Sequence, residues 1–198
     1  MSRVWYADIL NWAKYASAAN RIEIDFAYAS GEYVGSYPTR AVSQTIALLG
    51  FEGRADPNVE SVALFGLGYD PITPPSVLED LQPDWKYAFV AGEGDDGGVA
   101  RTLKLNKAIL DELDGPPVIL PLMSIQQSYR TVGEMVAPHV GLRNCIIVPL
   151  GPKSHVLASL LVASRSEAVS CLYVKGGLNE PIDVREGRSM TFCSVLFE

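Results

Sequence analysis

The apolar positions of this chain fall first into a helical rhythm and then into a strand rhythm. Residues 3–19 (RVWYADILNWAKYASAA) set Val4, Ala7, Ile9, Trp12, Tyr15 and Ala16 roughly along one face, the spacing of an amphipathic helix. In 21–29 (RIEIDFAYA), Ile22, Ile24 and Phe26 alternate with Glu23 and Asp25, which predicts a half-exposed strand. Residues 30–38 (SGEYVGSYP) read as loop, and 41–51 (AVSQTIALLGF) fit helix or strand equally well.

From residue 57 the strands become near-continuous apolar runs separated by helical patterns. Strands are predicted at 59–66, 86–92, 116–122, 144–150 and 168–175, and helices at 74–83, 97–115, 124–140 and 153–165. Such strands, alternating with helices, belong in a parallel sheet covered on both faces. The expected fold is therefore α/β: a Rossmann-like three-layer domain with a mainly parallel sheet over 58–198, preceded by a helix and strand appendage over 1–57. The last segment, 189–198 (SMTFCSVLFE), reads as a closing strand at one edge of that sheet.

Composition narrows the partners. The 198 residues are 48% apolar and carry 23 acidic against 16 basic side chains, a formal charge of -7, with no run of lysine or arginine. That balance argues against duplex nucleic acid and leaves room for a small anionic ligand held by amides and one or two cations. Cys145, Cys171 and Cys193 sit in apolar runs without CxxC spacing, so they are expected as buried thiols in a reducing, cytoplasmic setting, with no metal and no cofactor. No stretch approaches 18 apolar residues, so no membrane partner is expected.

Candidate chemistry follows from topology. In an open parallel sheet a ligand crevice forms where the winding reverses. If the strands at 61–66 and 144–149 are neighbours, two loops face each other there: Gly66, Leu67, Gly68, Tyr69 and Asp70 on one side, and Leu150 to His155 on the other. Gly66, Gly68 and Gly151 would supply positive φ or close backbone approach, though ordinary turns need glycine too. Lys153 opens a helix whose dipole opposes a cation, which favours a ligand contact. Ser154 is then a hydroxyl donor, and His155 a hydrogen-bond donor or proton shuttle and the candidate catalytic group.

Other features read more plainly. Glu93, Asp95 and Asp96 in "GEGDDGG" could meet a ribose but fit a solvated loop better. "GLGYDP" lacks a third glycine and runs into prolines, which disfavours NAD. Asn106 and Lys107 are expected to face solvent or a neighbouring helix, His139 to cap a helix end, and Tyr129, Arg130 and Lys175 to lie near the crevice. No serine stands in a G-x-S-x-G elbow, and neither histidine has a carboxylate partner in sequence.

The stretch "NCIIVPLGPKSHVLASLLVA" (144–163) resembles the second conserved block of CARF domains, the CRISPR-associated Rossmann-fold sensors. There a strand ends in Asn-x-Thr-Gly-Gly-Thr-Lys and enters a helix rich in small residues. Gly151 and Lys153 match a glycine and the lysine of that motif. The preceding order "SVALFGLGYDP", "LQPDWKYAFVAGEG" and "LDGPPVILPL" is also similar, so the likeness spans 57–175. Proline (Pro149 or Pro152) replaces the threonines, Asn144 stands farther from the lysine, and no effector nuclease segment is recognisable. The resemblance implies a nucleotide-type second messenger such as a cyclic oligonucleotide, a homodimer or an effector protein as partner, and a role in prokaryotic antiviral defence signalling. Two alternatives stay open: a nucleotide or nucleoside hydrolase using the same crevice, and a non-catalytic scaffold docking through Trp5, Tyr6, Trp12 and Tyr15.

Overall fold

A computed structural model describes residues 3–33, 42–92, 97–176 and 184–198. In chain order the elements are α1 (Arg3–Ala16), β1 (Ile22–Tyr33), β2 (Val42–Ala47), β3 (Ser61–Leu67), α2 (Thr73–Leu81), β4 (Trp85–Gly92), α3 (Gly98–Leu105), α4 (Lys107–Leu110), β5 (Val118–Pro121), α5 (Ile125–Val136), β6 (Asn144–Pro149), α6 (Lys153–Ala163), β7 (Val169–Gly176) and β8 (Val184–Phe197).

Six strands form a sheet in the order β2-β7-β6-β3-β4-β5, in which β3 to β7 run parallel and β2 is antiparallel. The chain is thus α/β with a mostly parallel sheet. Successive residues of β3 feed opposite faces. Val62 and Leu64 join a core with α1, α5 and α6, whereas Ala63, Phe65 and Leu67 join another with α2 and α4. Burial on both faces is why these strands read as unbroken apolar runs. β3 lies beside β6, the condition on which the expected crevice depends, with Gly66 in register with Pro149.

The structure resolves one open segment and corrects others: β1 runs on through Tyr33, where residues 30–38 read as loop. The ambiguous segment after residue 41 is strand β2, whose Val42, Thr45 and Ile46 suit an extended chain at the sheet edge. The single helix expected over 97–115 breaks at Asn106 (φ -97°, ψ 18°) and ends at Leu110. The Thr102 carbonyl accepts from both the Asn106 backbone amide at 3.0 Å and its side-chain Nδ2 at 2.9 Å, so the side chain folds back on the turn that ends there. The closing strand, finally, does not join the main sheet. β8 pairs antiparallel with β1 as a separate two-stranded ribbon, from Ile22 opposite Phe197 to Tyr33 opposite Val184. Its Cys193, Val195 and Phe197 pack inward while Met190, Phe192 and Leu196 are exposed. Such alternation suits a ribbon with one covered face, not a strand buried on both.

The ribbon and α1 form an outer layer over α6. Tyr6, Ala7, Leu10 and Ala13 are the buried face of α1, and the Tyr6 and Phe26 rings pack with centroids 5.9 Å apart. The helix is rotated from the face read in sequence, because Ala7 and Ala13 permit close approach where tryptophan does not. Trp5 and Trp12 are each 61% exposed, while Tyr6 faces the core and is not part of any outward docking face. Covered on both sides, α6 buries nine of its eleven residues. No helix among the described residues is long and apolar enough to cross a membrane.

At the amino edge of the sheet, Arg143 bonds Glu60 at 3.0 Å and stacks over the Trp85 ring, whose Nε1 also donates to Glu60. Asn144 ties β6 to the loop before β3, accepting from the Asp56 amide at 2.8 Å and donating to its carbonyl at 2.7 Å.

Candidate functional site

The two loops at the carboxyl edge of β3 and β6 do meet. The Leu150 amide donates to the Gly66 carbonyl at 2.8 Å. A Cβ on Gly66 would stand 2.6 Å from the Phe89 ring, one on Gly68 3.2 Å from the Leu150 carbonyl oxygen, and one on Gly151 3.0 Å from that of Leu67. These glycines therefore serve close backbone approach. The positive φ allowed for in the sequence is not used at any of them; among the described glycines it occurs at Gly50, Gly53 and Gly141.

Around this junction each expected site residue has a definite place. Leu67 is buried in the core, so only its backbone reaches the edge. The half-buried Tyr69 ring carries the Arg101 guanidinium 4.8 Å above its centroid. Asp70 accepts from the amides of Ile72 (3.0 Å) and Thr73 (3.2 Å) and from the Thr73 hydroxyl (2.6 Å). Its carboxylate thereby satisfies amides at the start of α2, which has no side-chain cap of its own.

On the opposite side α6 opens after Pro152, again without a side-chain cap. The first amides of the helix lack intrahelical partners and carry the positive end of its dipole. Lys153 is exposed and forms no ion pair among the described residues. Ser154 is 2% exposed, and its Oγ has no hydrogen-bond partner among the described residues. His155 is 1% exposed; its Nε2 lies 3.2 Å from the Pro121 carbonyl oxygen and its ring meets Phe89 edge-on at 6.0 Å. A carbonyl only accepts, so Nε2 carries the proton. Burial pushes the imidazole down to about 4, opposed in part by the Pro121 bond. The ring is a neutral group fastening α6 to the end of β5, where Ser128 donates to the same carbonyl at 3.0 Å.

Asn106 is the residue that sequence reasoning missed. It is 1% exposed and its Nδ2 donates to the Gly68 carbonyl at 2.7 Å, while its Oδ1 has no partner among the described residues. Asparagine inside an otherwise helical pattern was the available signal, since its amide competes with the backbone. Two orphaned buried oxygens, Asn106 Oδ1 and Ser154 Oγ, thus belong to residues on opposite flanks of the loop junction.

Other candidates are not gathered here. Asn144 is at the amino end of β6, away from Lys153. Tyr129 accepts from Arg165 at 3.0 Å, Arg130 is exposed on α5, and Lys107 pairs with Asp111 one turn on along α4. His139 is half-buried, its Nδ1 accepting from Arg143 at 3.2 Å; burial and that guanidinium lower its pKa. Lys175 is exposed near the end of β7, and Glu93, Asp95 and Asp96 lie outside the described residues. Cys145 and Cys171 are buried and Cys193 half-buried, all as free thiols; burial raises Cys145 to about 11. Among the described residues no three His, Cys, Asp or Glu side chains converge as a metal site would require.

Two surface depressions complete the picture. One, of about 310 Å³, is lined by Lys153 together with Tyr6 and residues Asp25 to Ala29 of β1. The other, of about 300 Å³, lies along α1 between Trp5, Asp8, Ile9 and Trp12. No protein-family model matches the chain, and no curated protein matches it.

Proposed function

We propose that the chain is a Rossmann-like sensor domain that binds a nucleotide-type second messenger, a cyclic oligonucleotide among the candidates, at the carboxyl edge of its sheet, and serves prokaryotic defence signalling. One observation carries this reading. Where the winding reverses between β3 and β6, the first turn of α6 presents an exposed lysine and, next to it, a buried serine hydroxyl, the first without an ion-pair partner and the second without a hydrogen-bond partner among the described residues. A phosphate there would take the first helix amides and the Lys153 ammonium, and would satisfy a hydroxyl that is costly to leave unpaired. Asn106 Oδ1, across the junction, would accept from a ligand N–H or O–H.

The hydrolase alternative needs a proton shuttle. His155 is enclosed, neutral and occupied by Pro121, which supports a packing role. The scaffold alternative retains only Trp5, Trp12 and Tyr15 as outward groups.

The test is a thermal-shift panel of linear and cyclic nucleotides on the wild type and on Lys153→Ala. A ligand at about 100 times its Kd stabilises the fold by about 2.7 kcal/mol, a rise of roughly 5–10 °C for a chain of this size. The expected result is a shift in the wild type from one nucleotide class and its loss in the variant. No shift from any nucleotide, or equal shifts in both proteins, overturns the reading.

A further inference from the structure

The outward face of α1 is not polar. Tyr6, Ala7, Leu10 and Ala13 turn inward, and the opposite stripe holds Trp5, Asp8, Ile9 and Trp12, spaced as neighbours on one helix face. Both tryptophans are more than half exposed, and these four residues line the depression of about 300 Å³ on α1. Ile9, packed against the core, is its floor, and Asp8 is exposed beside it. Trp5 and Trp12 are separated by a rise of about 10 Å along the axis, which leaves room between the indoles for one planar side-chain head.

Elsewhere the molecule shows what such groups take. At the amino edge the Arg143 guanidinium lies 5.1 Å over the Trp85 ring, and its Nε donates at 3.0 Å to Glu60, which also accepts from the Trp85 Nε1 at 2.9 Å. Indole and carboxylate there share one guanidinium. On α1 the indole is doubled, and among the described residues no cation serves it: no ion pair includes Asp8, and the guanidinium contacts on rings are at Tyr69 and Trp85.

We infer that the α1 depression is a clamp for an arginine side chain of a basic partner segment. The negative faces of the two indoles attract a cation, tryptophan more strongly than the other aromatics. The Asp8 carboxylate accepts two N–H bonds from the planar guanidinium fork. An ammonium would meet the carboxylate as a strongly hydrated point charge but could not lie flat on the rings, so the set favours arginine over lysine. The formal charge of -7 draws such a segment toward the chain. No residue of the carboxyl-edge site takes part, so the clamp and the nucleotide reading hold or fail separately.

The experiment is a titration of the full chain with a capped peptide carrying one arginine among glycines, followed through the indole N–H resonances. The chain has three tryptophans, and Trp85, already covered by Arg143, is the internal control. The Trp5 and Trp12 resonances should move and saturate while that of Trp85 stays still. The same peptide with lysine should bind more weakly, and with citrulline, which keeps the shape without the charge, about tenfold more weakly. Asp8→Asn and Trp12→Leu should each weaken the arginine peptide about fivefold. Both side chains are exposed, so melting curves of the two variants should match the wild type. Trp5 and Trp12 resonances that do not move overturn the inference. So does a citrulline or lysine peptide that binds as well as the arginine one, or an affinity indifferent to Asp8→Asn.

Discussion

A histidine kept neutral inside the fold makes acid the direction of weakness. His155 has its pKa lowered from the ordinary 6.5 to about 4 by burial, so between those values the unfolded chain binds a proton that the folded chain excludes. The stability from the neutral ring is complete above pH 6.5 and is lost as pH falls toward 4, by roughly 1 kcal/mol per pH unit. His139, also lowered, acts in the same sense, as do the lowered carboxylates of Glu60, hydrogen-bonded by Trp85 and Arg143, and Asp84, hydrogen-bonded by Ser61. His155→Gln keeps a donor for Pro121 and removes the titration. Urea unfolding across this window should therefore show a shallower acid slope for the variant, and equal slopes would refute the assignment. At this scale the sequence disclosed residue types but not their surroundings. Lys153 and the glycines stand out because a cation at a helix mouth, or a missing side chain, is visible in one dimension. The burial of His155 and the reach of Asn106 to Gly68 are set by contacts 34 and 38 residues away, which no local pattern records.

Among elements, α2 depends most visibly on one side chain outside it. Its N-terminal amides draw on Asp70, which also holds the loop after β3. Asp70→Ala is expected to cost about 1 kcal/mol in urea unfolding without ligand, and Asp70→Asn, which keeps an acceptor, distinctly less. Equal losses would mean that charge, not acceptance, is what α2 requires. The central strands and α5 were legible because burial on two faces, or on one stripe, leaves a periodic trace. A subtler trace lies in α6, where Val156, Leu157, Leu160 and Val162 spread around the helix after its polar first turn and leave no continuous polar face. A helix apolar all round must be covered twice, and α1 with the ribbon is the second cover. The β8 pairing stayed hidden because alternation shows that one face is buried without saying against which strand.

Across the whole molecule, pairing is densest at the centre. β3 and β6 have a strand on each side and a core on each face, whereas β1 and β8 have each other and one covered face. Hydrogen exchange should therefore leave the β3 and β6 amides to the last and release those of the ribbon earlier. Uniform protection would show that the outer layer opens only with the core. The ribbon also joins parts of the chain made far apart in time. β8 begins at Val184, roughly 150 residues after β1 ends at Tyr33. At about 5–20 residues per second, a ribosome leaves β1 without its partner for roughly 8–30 s. During that wait the alternating Ile22, Ile24 and Phe26 are an adhesive segment, and the intervening Glu23 and Asp25 act as gatekeepers that keep the nascent chain from sticking to others.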